Sequence, residues 1–259
     1  IMGSDPDEMA MSAVKMIEQG RRPPSVYRRF SIDDLRARHA IEPDSEAGAR
    51  TFTVIDVNLA CPVKKIRTKA RGGHWLREPQ GAIDILSAVR AAVPPEFPVT
   101  VKLRRGSDDS PEAERNFYRI FDAAYELGCA WTTVHGRTVE QKYIGPSRWT
   151  FLRDLVRARP DCIVFGSGDV WSVHDIFRML EFTGVHAVSV ARGCIGNPWI
   201  FRQARDMMAG RAPASPTIAE QREVLQAHFE LSCAVNGESA AGRMMRKFGV
   251  RFAEHHPQS

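Results

Sequence analysis

The sequence predicts an α/β fold: a (β/α)8 barrel with its first strands missing, followed by the start of a C-terminal helical domain. Three observations carry that expectation. From Thr53 onward, short apolar and β-branched runs alternate with amphipathic helical patterns, as right-handed βαβ units require. Chemically distinctive residues then fall at or just past successive strand ends: Asn58 and Cys61, Lys102 and Arg104, His135 and Arg137, Gly168 and Asp169, Arg192 and Gly193. A barrel gathers such ends at one mouth, whereas a doubly wound sheet, which also fits the alternation, spreads them along an edge. After Arg211 the pattern changes to long helices.

The elements follow in order. Ile1-Met2-Gly3 reads as the end of a strand, so the earlier strands are expected upstream. Asp5-Pro6-Asp7-Glu8 starts a helix, with Asp5 as N-cap and proline at the first helical position, running to Gln19 and stopping at Gly20. The stretch 21–52 mixes prolines and both charges and reads as a surface insertion with room for one short helix. Strands are expected at Thr53 to Leu59, Val99 to Leu103, Trp131 to His135, Cys162 to Phe165 and Ala187 to Ala191. Helices are expected at Pro79 to Val93, Pro111 to Leu127 behind a Ser110 cap, Trp149 to Arg159 and Val173 to Phe182. Beyond them, Thr217 to Asn236 and Ala240 to Ala253 form helices broken by Gly237. The expected division is a partial barrel over 1–210 and a helical domain beginning at 211–259.

Composition narrows the class. Hydrophobic residues make up 43% of the chain and charged residues 26%, ordinary for a soluble globular protein. The net charge of +5 suits a polyanionic partner, although a solvated basic surface gives the same total. No apolar run approaches the ~20 residues of a membrane span, the acidic first residues do not resemble a signal peptide, and a cytoplasmic protein is expected. The five cysteines are odd in number and lack C-x-x-C spacing, which argues against zinc and against a disulfide framework. Cys129, Cys162 and Cys233 read as core thiols and Cys194 as a loop residue. Cys61 differs: it ends an apolar strand and precedes Lys64, Lys65, Arg67, Lys69 and Arg71 in a basic loop closed by Gly72-Gly73.

The other strand ends suggest a bound anion. Gly166-Ser167-Gly168-Asp169 and Arg192-Gly193 fall where barrels often hold phosphate, although glycines there also serve as simple turns. Lys102, central in its strand, faces inward or outward; inward, it needs an anion or an electron-rich partner. His135 is either a packed core residue or a ligand contact.

In order, Ile55-Asp56-Val57-Asn58-Leu59-Ala60-Cys61-Pro62, Val101-Lys102-Leu103-Arg104, His135-Gly136-Arg137-Thr138 with Gln141-Lys142-Tyr143, Gly166-Ser167-Gly168-Asp169, Arg192-Gly193 and Asn197-Pro198-Trp199-Ile200-Phe201 resemble the tRNA-dihydrouridine synthases. The resemblance runs from Ile1 to about Ala253, apart from the insertion. It implies a monomeric, metal-free enzyme that holds FMN, takes electrons from NADPH, and reduces a tRNA uridine to 5,6-dihydrouridine. It also implies Cys61 as proton donor, Lys102 and His135 as flavin contacts, and Ser167, Gly168, Asp169, Ala191 and Arg192 around the flavin phosphate. Asn58 is implied near the target base. Lys64, Lys65, Arg67, Lys69, Arg71 and Arg137 are implied along the tRNA, joined by Arg243, Arg246, Lys247 and Arg251. Ser167 stands where the family usually has asparagine, and Ala191 where it has glycine. Two other readings remain open at this point: a dihydroorotate-dehydrogenase-like FMN barrel, and a flavin-free RNA-binding relative. The implied chemistry suits a thiol, since at an ordinary pKa of about 8.5 it still carries its proton at neutral pH, when a carboxylate would be ionised.

Overall fold

The computed structural model describes residues 1–20 and 53–253 of the chain. The expected insertion at 21–52 lies outside the described residues. Within them the order is α1 (Pro6–Gly20), β1 (Ile55–Asn58), α2 (Lys64–Arg67), a 3-10 turn (Gly72–Leu76), α3 (Pro79–Ala92), β2 (Val99–Arg104) and α4 (Pro111–Glu126). There follow β3 (Trp131–His135), α5 (Trp149–Ala158), β4 (Val164–Ser167), α6 (Val173–Thr183) and β5 (Ala187–Ser189). The chain continues through a 3-10 turn (Arg192–Cys194) to α7 (Ile200–Met208), α8 (Ile218–Asn236) and α9 (Glu238–Ala253).

Two compact units divide these elements. The first contains the sheet, whose five strands are all parallel and lie in the order β1-β2-β3-β4-β5. A doubly wound sheet reverses its strand order at a switch point, so unbroken sequential order identifies the wall of a (β/α)8 barrel. Ile1 extends the ladder by one residue beyond β1: its amino group donates to the Asp56 carbonyl at 2.6 Å, and its carbonyl accepts from Asn58 N–H at 2.8 Å.

Burial explains why these segments pair. Ile55, Val57, Val99, Val101, Leu103, Val134 and Val164 are buried along the strand face turned to the helices. Against them α3 sets Ala82, Ile85, Leu86 and Val89, and α4 sets Phe117, Ile120 and Phe121, the i, i+3, i+4 stripe of an amphipathic helix. Each fully buried large side chain stabilises the unit by about 1.5–3 kcal/mol before entropy is subtracted. Helix starts follow local chemistry: Asp5 Oδ1 accepts the Glu8 N–H at 2.9 Å, and Ser110 Oγ accepts the Ala113 N–H at 3.2 Å.

Most boundaries shift by a residue or two, and three differences bear on the site. β4 begins at Val164 rather than Cys162 and runs to Ser167. β5 stops at Ser189, and Ala191, with φ −118° and ψ −86°, has left extended geometry. The basic stretch after Cys61 is not a loop, because no glycine or proline interrupts Val63 to Ala70 and one helical turn, α2, forms there. Gly72, at φ +56°, then reverses the chain into the 3-10 turn.

Among the described residues the second unit comprises Val170–Phe177 and 190–253. Within it Trp199 meets Phe252 of α9 edge to face at 5.5 Å, which packs the segment before α7 with the later helices. α8 opens with a capping box between Thr217 and Glu220, and Gly237 at φ +81° separates it from α9. Among the described residues, no helix is long and apolar enough to cross a membrane.

Candidate active site

Parallel register sets the site. Asn58 lies opposite Lys102, which lies opposite Thr133; one step further along, Arg104 lies opposite His135, which lies opposite Ser167. Paired residues of parallel strands point to the same face, and side chains two apart share it, so Asn58, Lys102, Arg104, His135 and Ser167 form two tiers on the inner face. Trp131 and Phe165, stacked with centroids 5.0 Å apart, lie on that face too, Phe165 opposite Thr133 in the first tier and Trp131 one step before it.

Cys61 stands three residues past the end of β1, half-buried and with a free thiol. Asn58 shapes the turn leading to it: its Oδ1 accepts the Ala60 N–H at 3.0 Å, an Asx turn. The Cys61 carbonyl accepts from Gly73 N–H at 3.0 Å. The glycine pair is needed here for space, since a Cβ on Gly72 would stand 2.8 Å from Cys61 Cβ and one on Gly73 would stand 2.9 Å from the Cys61 carbonyl oxygen. Lys64 and Lys65 are exposed on α2, which also includes Arg67, and Lys69 is exposed just after it. Arg71 Nε is a buried donor with no partner among the described residues.

Lys102 faces inward, and burial lowers its pKa from the ordinary lysine value, with the Arg104 charge adding to the effect and Asp56 opposing it. His135 is held more firmly. Burial, reinforced by the charges of Arg104, Lys102 and Arg137 and opposed by Asp169, brings its pKa to about 3. The ring is therefore neutral at physiological pH. Its Nδ1 accepts the Arg137 N–H at 3.1 Å, so the ring proton sits on Nε2, where it can be donated to a ligand.

The Gly168-Asp169 turn shows why sequence alone misjudged Arg137. Expected along the tRNA, Arg137 is only 4% exposed and grips Asp169 with Nη2 at 2.7 and 2.8 Å while also donating to the Gly145 carbonyl. It braces the turn from inside and does not face solvent. Ser147 N–H donates to the same carboxylate at 2.7 Å, and Trp149 Nε1 donates to the Gly168 carbonyl at 2.9 Å. Gly168 and Asp169 both have positive φ, +109° and +56°. A Cβ on Gly168 would lie 2.3 Å from Ser147 Oγ and 3.0 Å from His135 Cε1, so neither conformation nor space admits a side chain. The carboxylate of Asp169 is thus committed to Arg137 and Ser147. Ser167 is buried beside the turn, its carbonyl accepting from Gly136 N–H at 3.3 Å. Ala191 and Arg192 belong to the second unit, where the Arg192 guanidinium lies 4.7 Å from the Trp171 ring centroid.

Ser147, Trp149 and Arg104 are site-building residues that the sequence reading did not assign. Trp149 carried a signal, because an indole N–H at a helix start needs an acceptor.

Residues 44–258 match the family model described as Dihydrouridine synthase (Dus). The chain belongs to the dihydrouridine synthase family. Among similar proteins, a probable tRNA-dihydrouridine synthase of Mycobacterium leprae is 36% identical over 228 residues, covering 86% of this chain and 58% of that protein. The tRNA-dihydrouridine synthase B of Shewanella oneidensis is 32% identical over 257 residues, 99% of this chain and 66% of the relative. That of Xanthomonas campestris pv. campestris is 34% identical over 225 residues, 84% and 66% respectively. The chain thus spans between 55% and 66% of the length of these and similar dihydrouridine synthases.

A neutral histidine among three cations has a measurable cost. His135 takes up a proton near pH 6.5 when unfolded but only near pH 3 when folded, so the unfolded state binds more protons between those values and stability falls as pH drops through that window. The expected loss between pH 7 and pH 5 is about 2 kcal/mol. Urea denaturation of the wild type and of His135→Asn, whose Oδ1 keeps an acceptor for the Arg137 N–H, should show the fall flattened in the variant. Parallel pH curves would remove His135 as its cause.

Proposed function

We propose that the protein reduces a uridine base of tRNA to 5,6-dihydrouridine, holding FMN and taking electrons from NADPH. One observation carries the reading. In a dihydrouridine synthase chain, Asn58, Lys102 and His135 share the inner face at the ends of three successive strands, and Cys61 follows the first of them.

The residues present fit a flavin mononucleotide. The 168–169 turn is a cradle that a Cβ would fill, and Arg137 Nη1, buried without a partner among the described residues, leaves a spare donor beside it. In this reading the main chain of Gly168 and Asp169 takes the phosphate, His135 offers its Nε2–H, and Lys102 offers a cation to the electron-rich ring. When bound, FMN supplies hydride for C6 of the uracil. Asn58 Oδ1 being taken by Ala60, its amide N–H groups donate to a uracil carbonyl and orient the base. Cys61 delivers its thiol proton to C5, where charge accumulates as C6 is reduced. Lys64, Lys65, Arg67, Lys69 and Arg71 neutralise phosphates around the flipped nucleotide, and Arg71 Nε would gain the acceptor it lacks.

The test is direct. The chain, supplied with FMN, NADPH and unmodified transcribed tRNA, should form dihydrouridine detectable by nucleoside mass spectrometry. Reduction of free uracil or orotate with tRNA left untouched would favour the dihydroorotate-dehydrogenase-like alternative and overturn this one.

A further inference from the structure

Two peptide groups flank the Cα of Cys61, and each is held by one donor. The carbonyl of Ala60 accepts from Arg104 Nε at 2.9 Å, and the carbonyl of Cys61 accepts from Gly73 N–H at 3.0 Å. These are the planes that set the φ and ψ of residue 61. Gly73 reaches its acceptor from the adjoining turn, but Arg104 reaches across from the end of β2. Its Nη1 continues to the carbonyls of Thr138 and Lys142, both at 2.8 Å. Its guanidinium also lies 5.7 Å from the ring centroid of Tyr143, which is 54% exposed. Arg104 itself is only 3% exposed.

We propose that Arg104 is the positioning residue for the proton donor: it fixes the backbone of Cys61 and ties it to the 138–142 segment, so that thiol and loop are placed as one piece. The proposal rests on the reading of Cys61 as donor. Only a planar fork with donors in different directions can serve three carbonyls from one position; a lysine ammonium has a single centre and cannot span them. The charge of Arg104 has a second use, since it helps keep His135 neutral.

The experiment compares the wild type, Arg104→Lys and Cys61→Ala, each loaded with FMN. Iodoacetamide alkylation of Cys61 is measured against Cys194 in the same sample by peptide mapping, alongside kcat and KM for tRNA. Arg104→Lys should change the Cys61 to Cys194 ratio about fivefold or more and lower kcat about 10- to 100-fold, with KM within about twofold, as expected when a reacting group is displaced by up to an ångström. An unchanged ratio or an unchanged kcat overturns the proposal. A Cys61→Ala chain that still forms dihydrouridine removes the donor reading instead, and the alkylation ratio then reports separately on Arg104's hold over residue 61. If Arg104→Lys fails to fold, hydrogen exchange in the wild type decides. The Arg104 Nε–H should be strongly protected, and exchange as fast as at the exposed Arg115 would overturn the proposal.

Discussion

Replacing Cys61 by alanine should reduce dihydrouridine formation by about 10²- to 10⁴-fold, the range expected on losing a positioned general acid. Flavin retention and NADPH oxidation should be unaffected. The separation follows from where the residues lie: Lys102, His135 and the 168–169 turn come from β2, β3 and the end of β4, whereas Cys61 comes from beyond β1 with a free thiol. Among the described residues, removing Sγ therefore leaves the proposed flavin contacts in place and takes away only the proton for C5. Gly72 and Gly73 remain packed against residue 61, and alanine retains the Cβ they meet, so the local backbone should persist. Mass spectrometry of the nucleosides and spectrophotometry of NADPH report the two halves separately. Equal dihydrouridine yields from variant and wild type would remove Cys61 from the acid role.

Arg137→Met should destabilise the first unit by about 3 kcal/mol, because it leaves the Asp169 carboxylate without its cation and the Gly145 carbonyl without two of its donors. Asp169 is 24% exposed along its side chain, so water compensates part of the loss and the figure belongs at the lower end for buried pairs. Adding Asp169→Asn to Arg137→Met should recover about 1 kcal/mol or more, since the uncompensated charge is then gone. Urea denaturation of the four proteins in this double-mutant cycle measures the coupling. A loss well under 1 kcal/mol in the single variant would mean that Arg137 is not bracing the turn.

Much of the fold could be read from sequence because its signals are periodic. β-branched runs at Val99 and Trp131, and helices opened by Ser110 or Thr217, announce themselves through spacing and caps. The alternation also placed Asn58, Lys102 and His135 at strand ends, where register brings them together. Polar partnerships were less legible. Periodicity states which face a residue occupies, not which carbonyl its donors reach, so Arg137 looked like a solvent-facing cation, and Arg104 stood out at a strand end without an assigned partner. Their roles depend on segments up to 44 residues away in the chain. The turn of helix after Cys61 was missed for a different reason: charge density suggested an open loop, although nothing in Lys64 to Arg67 resists helical torsions.

The two-tier register makes chain length, more than residue identity, the rigid quantity in β2. Deleting one residue between Val99 and Arg104 would exchange the two faces of the strand, turning Lys102 and Arg104 towards the helices and bringing valine and leucine to the mouth. A substitution there removes the contacts of one residue; a single-codon deletion would remove those of several together. Sequence drift in this lineage should therefore lengthen or shorten the connections between strands and leave the count within 99–104 unchanged.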